Sequence, residues 1–318
     1  MANASEETTS ETVTSSMKFW VDIAIYVINS ILPPVIGILG LFGNVLSFLL
    51  MNQKKYEKST TCFYMRAMAI FDSLYIYSRI LLRYLLVMCP YLFTDLSVKE
   101  PYCLYYFASL TLCKLVSPWI LIAMALDRFI ALTWPLKAAI ICTMKRARIT
   151  TLIIFLWSVG HGCIQLKGTY QERFKFWLCP YDFDDSAVLL YALVVEFFIP
   201  FLTLVIFNIG LLVAVHRSNR DISRSKATGS AQEASITRSA VIVISAFIAF
   251  QIPMRAVDFY WEGWKGVVTD DIQQLQRLSK NMGIIGENLN YCSNSFLYIF
   301  TCRRLRDEMF SMILRKRQ

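Results

Sequence analysis

Seven stretches of this chain each hold about 20 predominantly apolar residues, the length a helix needs to cross a bilayer core. They run roughly over residues 23–51, 61–88, 103–133, 149–166, 187–216, 236–260 and 278–301. Lipid offers no hydrogen bonds, so a spanning backbone must satisfy its own amides, and runs this long do so as helices. The seventh, with Asn288, Asn290 and Asn294, is the least hydrophobic. A further segment, 303–314, repeats Leu305, Met309, Met312 and Ile313 at helical spacing among basic residues, which suits a helix lying on the membrane surface. The expected fold is therefore an all-α membrane protein, a seven-helix bundle with a short amphipathic eighth helix. Residues 1–22 form an outer, disordered N-terminus, 23–301 the bundle, and 302–318 the amphipathic helix and tail.

Composition agrees with this reading. Of 318 residues 56% are hydrophobic and 17% charged, which excludes an ordinary soluble globule. With 22 Phe, 16 Tyr and 7 Trp the chain is also too apolar for a solvated coil. The net charge of +9 sits in short clusters between apolar runs, with no continuous basic face for nucleic acid. Eighteen Lys and Arg fall in or beside the loops on one side and eight on the other. Because basic residues in short loops accumulate in the cytoplasm, the N-terminus is expected outside and the C-terminus inside, in the plasma membrane. The first 22 residues are Ser/Thr-rich and acidic, without the pattern of a cleaved signal peptide. Asn3-Ala4-Ser5 is a glycosylation acceptor on the outer side.

An enzyme is not expected. Only His161 and His216 are present, and no GxSxG elbow, HExxH zinc site or GxxxxGK[ST] phosphate loop occurs, nor is a cofactor implied. A transporter would show related halves, and no internal repeat is visible. What does require explanation is the number of polar groups inside the spans. Asn44, Asp72, Lys114, Arg128, Glu196, Arg255, Glu287 and Asn294 lie within or near the ends of spans, and Arg79 and Arg83 lie in the outer part of the second. An ionisable group in a membrane helix is costly, so each either pairs internally or serves binding or switching.

Taken in order, Gly43-Asn44-Val45, Ala69-Ile70-Phe71-Asp72, Asp127-Arg128-Phe129, Trp157, Pro200, Phe247 with Pro253, and Asn294-Ser295-Phe296-Leu297-Tyr298 resemble the landmarks of rhodopsin-like G-protein-coupled receptors. The resemblance covers about residues 23–314. It implies an extracellular disulfide between Cys103, 25 residues before Arg128, and Cys179. It also implies an inner-face switch built from Asp127, Arg128, Glu233, Pro253, Asn294 and Tyr298. In that family the sixth span swings outward about its proline and opens a cleft for a heterotrimeric G protein, with arrestin as a further partner. Asn44, Asp72, Asn290 and Asn294 would converge at mid-membrane on a sodium ion or a water network; oxygen ligands suit either. Cys302 is open to palmitoylation or stays a free thiol.

The chain departs from the family pattern at Phe129, Ser295, Gln251 and Asn208, which stand where a tyrosine, the seventh-span proline, a tryptophan and the fifth-span tyrosine are usual. Leu110 replaces the carboxylate of amine receptors, and Asn288 replaces the lysine an opsin needs for its Schiff base. An amine ligand and a retinal pigment are excluded on those grounds. The outer cavity is expected to gather Arg79, Arg83, Lys114 and Arg255 against Glu196, Asp258 and Glu287, with Gln251 at its floor. Two readings stand: an acidic ligand group meets Arg83 or Arg255, or Lys114 pairs with Glu287 or Glu196 and closes an internal network. Beyond the spans, Tyr181, Asp182, Phe183, Asp184, Asp185, Trp261, Glu262 and Trp264 make an acidic and aromatic rim suited to cationic peptides. With the third span, this rim resembles receptors for invertebrate neuropeptides of the FMRFamide type. A chemosensory receptor for a small anionic or zwitterionic ligand and a non-coupling decoy are the alternatives.

Overall fold

The computed structural model describes residues 19–89, 91, 96–169, 190–191, 193–222, 228–263, 266, 269–301 and 303–315. Asn3, Cys179, the rim residues 181–185, Trp264 and Cys302 lie outside them, as do the side chains of Cys103, Glu233, Asp258 and Glu262.

Among the described residues seven long helices follow one another. Helix α1 comprises a π-helical turn, Val27–Ile31, and Leu32–Met51. Helix α2 comprises Thr60–Ile76, a π-helical stretch Tyr77–Leu82, and Arg83–Met88. Then come α3 (Leu96–Thr133), α4 (Met144–Thr169), and α5, which joins a π-helical turn Val194–Phe198 to Ile199–Ile222. Helices α6 (Thr228–Gly263), α7 (Asp270–Thr301) and α8 (Arg303–Arg315) complete the order. A short helix, Pro135–Ile141, links α3 to α4. We call the end where α1 begins the upper end.

Local chemistry accounts for several boundaries. Ser59 caps α2, its hydroxyl accepting from the Cys62 amide, and Pro135 opens the short helix where its missing N–H is harmless. Two of the three π-helical turns precede prolines. Pro33 and Pro34, and likewise Pro200, cannot donate to the carbonyls four residues back. The amides of Leu32 and Ile199 instead reach five residues back, to Val27 and Val194. No proline accounts for the third π-helical stretch, which carries Arg79.

Among the described residues four stretches have the length and apolarity of a membrane span unaided: Leu32–Met51, Tyr105–Thr133, Val194–His216 and Ala240–Val257. The other helices carry polar groups that the bundle turns inward: Asp72 in α2, His161 in α4 and Glu287 in α7 are all buried. The helices also run past the expected spans, α3 from residue 96 and α7 from residue 270, because helical bonding continues where lipid ends.

Neighbouring helices pack in a closed ring, α1 against α2 and α7, α6 against α5 and α7, with α3 at the centre touching α2, α4, α5 and α6. Around the outside the usual soluble pattern is inverted. Leu202, Ile206, Ile209 and Val213 of α5 recur at helical spacing and are exposed, presenting a stripe to lipid. The interior holds a lower core around Met68, Ile120, Met124, Leu204 and Tyr298, and an upper core around Ile76, Tyr75 and Tyr291, whose rings stack 3.6 Å apart. Helix α8 folds back beneath α1. Leu305 joins the lower core, while Glu308 accepts from the Tyr56 hydroxyl at 2.6 Å and pairs with Lys55 at 2.5 Å.

Close approach of α1 to its neighbours requires a glycine. A Cβ at Gly40 would stand 2.5 Å from Cys292 Sγ and 2.7 Å from Ile76 Cδ1. Gly40→Ala is accordingly expected to cost about 1–3 kcal/mol through overpacking. Chemical unfolding of purified protein checks this; wild-type stability would show that α1 can move aside.

Candidate functional site

Three polar groups lie along the bundle axis. The lowest is at the foot of α3. Arg128 Nη2 donates to Asp127 Oδ2 at 2.8 Å and to Thr60 Oγ1 at 3.3 Å, while the Thr60 hydroxyl itself donates to the same carboxylate oxygen at 2.8 Å. Two helices therefore hold one guanidinium. Next to it the Cys142 thiol donates to the Asp127 carbonyl at 3.5 Å. Burial, and then the Asp127 carboxylate, push this thiol up to about 11, so at neutral pH it stays protonated and able to donate. Across the bundle Asn208 Nδ2 donates to Ser245 Oγ at 2.9 Å, tying α5 to α6. Tyr298 lies buried with its hydroxyl 3.8 Å from Met68 Sδ.

The middle group surrounds Asp72, which has no exposed surface. Ser117 of α3 donates to one carboxylate oxygen at 2.7 Å and Asn294 of α7 to the other at 2.9 Å. Asn44 forms a separate pair of bonds: it accepts from the Ser295 hydroxyl at 2.6 Å and donates to the Tyr291 carbonyl at 3.3 Å. The expected convergence of Asn44 on Asp72 is thus divided into two adjacent clusters, both ending on α7. The amide oxygens of Asn290 and Asn294 are buried without a protein hydrogen-bond partner. This oxygen-rich donor set is of the kind that fits a hard cation or bridging water.

The upper group is divided as well. Lys114 of α3 pairs with Glu287 of α7 at 2.9 Å, and the positive charges of Arg79 and Arg255 also act on this carboxylate. Glu287 is buried, and its second oxygen has no hydrogen-bond partner. Gln251 is buried nearby in α6 sequence, and the Arg255 guanidinium stands 5.6 Å from the centre of the Phe197 ring. Glu196 of α5 reaches α4. Its carboxylate meets His161 Nε2 at 3.0 Å, and His161 Nδ1 meets the Tyr191 hydroxyl at 3.2 Å. Arg79 and Arg83 line a different cavity, between α1, α2 and α7, where Arg79 donates to the Tyr106 hydroxyl at 3.0 Å. Among the described residues the seven expected side chains thus spread over three neighbouring contacts, Lys114–Glu287, Glu196–His161 and the cavity lined by Arg79 and Arg83, with Arg79 also acting on Glu287.

Several partners had no signal of their own in the sequence. Thr60 stands 67 positions from Asp127, and Ser117 stands 45 from Asp72. Serine and threonine are common in helices, and only a facing carboxylate distinguishes these two. Ser295 is different, because its departure from the family pattern already marked the position that bonds Asn44.

The family described as "7 transmembrane receptor (rhodopsin family)" matches residues 43–298. An FMRFamide receptor of Drosophila melanogaster is 25% identical over 256 residues, a match that takes in 75% of this chain and 45% of that receptor. This chain therefore spans less than half the length of that relative. The crystal structure of squid rhodopsin superposes with a TM-score of 0.71 at 16% identity, over 91% of this chain and 80% of the other, which establishes likeness of fold. The ring of helices around a central α3 shares that fold, and the family match over most of the chain leads to one assignment: this chain belongs to the rhodopsin family of seven-transmembrane receptors.

Proposed function

We propose that this receptor faces outward with its N-terminus, takes an extracellular peptide at the upper ends of α3, α5, α6 and α7, and activates a heterotrimeric G protein at its lower face. The excess of Lys and Arg beside the lower loops supports the orientation. A peptide ligand is supported by the FMRFamide receptor among its relatives and by the acidic, aromatic sequence of the upper loops. Lys114, Glu287, Gln251 and Arg255 would form the floor of that site, with Glu196 behind it.

The observation that carries the signalling half is the clasp on Arg128. A guanidinium held by Asp127 and Thr60 is a bond that one arrangement of the bundle makes and another releases, and a ligand favouring the second shifts the population toward it. Outward movement of α6, hinged where Pro253 interrupts its hydrogen-bond ladder, would part Asn208 from Ser245 and open the lower face. The Asp72 cluster, with sodium or water among its oxygens, would couple α2, α3 and α7 during that change.

Nucleotide exchange on a panel of G proteins, driven by peptides of the FMRFamide type, tests the reading. Wild-type receptor should drive exchange. Once released, the guanidinium would also face the G protein, so Arg128→Ala at equal surface expression should lower ligand-driven exchange to about a tenth or less, within the usual range of coupling energies, even though it removes the clasp. Peptide uptake without exchange on any G protein would instead identify a decoy, and full exchange by Arg128→Ala would remove the clasp.

A further inference from the structure

Apart from the Lys114–Glu287 group, a cavity of about 390 Å³ opens between the upper parts of α1, α2 and α7. That volume falls within the roughly 300–1,000 Å³ typical of small-molecule sites. Its walls are of two kinds. Ile25, Ile28 and Ile284 contribute an aliphatic side, while Arg79, Arg83 and Arg277 bring three guanidinium groups to the same space. Among the described residues no acidic side chain lines it.

The contrast with the rest of the bundle is sharp. Lys114 has Glu287 and Arg128 has Asp127, but among the described residues none of these three arginines forms an ion pair within bonding distance, and only Arg79 is near enough to the Glu287 carboxylate for that charge to act on it. Arg79 gives one N–H to Tyr106, and its Nε is buried with no partner. Three like charges around one cavity with low-dielectric walls concentrate a positive field there. The backbone is shaped toward the same space. Ile28 belongs to the π-helical turn of α1, and Arg79 to the π-helical stretch of α2 that no proline explains. Such bulges re-aim side chains and recur at functional sites.

We propose that this cavity binds a small anionic amphiphile, a carboxylate or phosphate monoester carried on an aliphatic chain. The acidic group sits between Arg83 and Arg277, which are exposed, with Arg79 deeper; the chain lies along the isoleucines. Guanidinium forks match carboxylate and phosphate oxygens two at a time, and apolar burial holds the chain. An aliphatic wall suits an alkyl body better than the basic and aromatic side chains of the proposed peptide. The inference is independent of the peptide reading and holds whether or not the receptor couples to a G protein.

The test uses the full chain in phosphatidylcholine nanodiscs, with dodecanoate, dodecyl phosphate and uncharged dodecanol as probes and binding read by native mass spectrometry. Probes are offered from the buffer in one arm and built into the nanodisc in the other, which separates an aqueous source from a membrane one. Saturable binding at one site by either anion is expected, with dodecanol at least about tenfold weaker, as loss of a charge-assisted bond implies. Arg83→Gln and Arg277→Gln should each weaken anion binding by about fivefold or more, with unchanged ligand-free unfolding. Ile284→Trp should block it by filling the cavity while leaving every charge in place, and Arg255→Gln should leave it unchanged. Equal binding of dodecanol and dodecanoate, indifference to both arginine variants and to Ile284→Trp, or no binding from either source would overturn the proposal. Peptide-driven exchange is read separately, so failure here leaves the signalling assignment untouched, and the reverse also holds.

Discussion

Lys114→Met is expected to destabilise the receptor by about 3–5 kcal/mol, the cost of leaving a buried carboxylate without its partner. Glu287 has 1% of its side chain exposed, against 22% for Lys114, so the two ends of the pair are not equivalent. Removing the lysine strands a charge where water does not reach. The positive charges of Arg79 and Arg255 act on the same carboxylate and place the effect in the lower part of that range. Removing the acid instead leaves Lys114 partly solvated, so Glu287→Gln should cost less, about 1–3 kcal/mol. The double variant, Lys114→Met with Glu287→Gln, should recover most of the loss, because a neutral amide and a thioether require no counterion. Unfolding of the four purified proteins in one detergent measures the cycle. A double variant as unstable as Lys114→Met would mean that the lysine acts through packing and not through charge.

Asp127→Asn addresses the other end of the bundle. The carboxylate holds both Arg128 and Thr60 at 2.8 Å. A neutral amide weakens the charge-assisted bond and with it the arrangement in which Arg128 is clasped. If that arrangement is the silent one, losing about 1.5 kcal/mol from it raises the active population roughly tenfold, visible as ligand-free nucleotide exchange. Thr60→Val keeps the ion pair and removes only the bridging hydroxyl, so its rise should be smaller. Wild-type basal exchange by Asp127→Asn at normal surface expression would show that this contact does not restrain the receptor.

Helix content and order were legible because lipid imposes a simple rule, and a chain that obeys it displays long apolar runs whatever its partners are. Even so, α2, α4 and α7 carry polar interruptions, and α3, α4, α6 and α7 extend beyond the apolar limits. The family landmarks made Asp72, Arg128 and Asn294 visible as special, since each is a polar group at a depth where an apolar one costs less. Their partners were less visible. Thr60 and Ser117 are ordinary helix residues until a carboxylate faces them, and the choice between Glu196 and Glu287 for Lys114 depends on which way α5 turns. The π-helical turn Val194–Phe198 carries Glu196, and that carboxylate meets His161 of α4, while Lys114 pairs with Glu287 of α7.

By itself, the amino-acid sequence determined that this protein has seven membrane helices in a known order, that charged groups lie among them, and which of these stand at the family's landmark positions. Periodicity along one helix says which residues share a face, and hydropathy says how much of it lipid will accept. Only the tertiary structure decided which faces meet, how deep each helix sits beside its neighbours, and therefore which charges neutralise one another. Close packing at contacts such as Gly40 against Cys292 sets those depths, and they are properties of pairs of helices that no single helix carries. That is why Arg79 and Arg83 line a cavity with Arg277 bounded by α1 and α7, while Arg79 also shares the Glu287 carboxylate with Arg255.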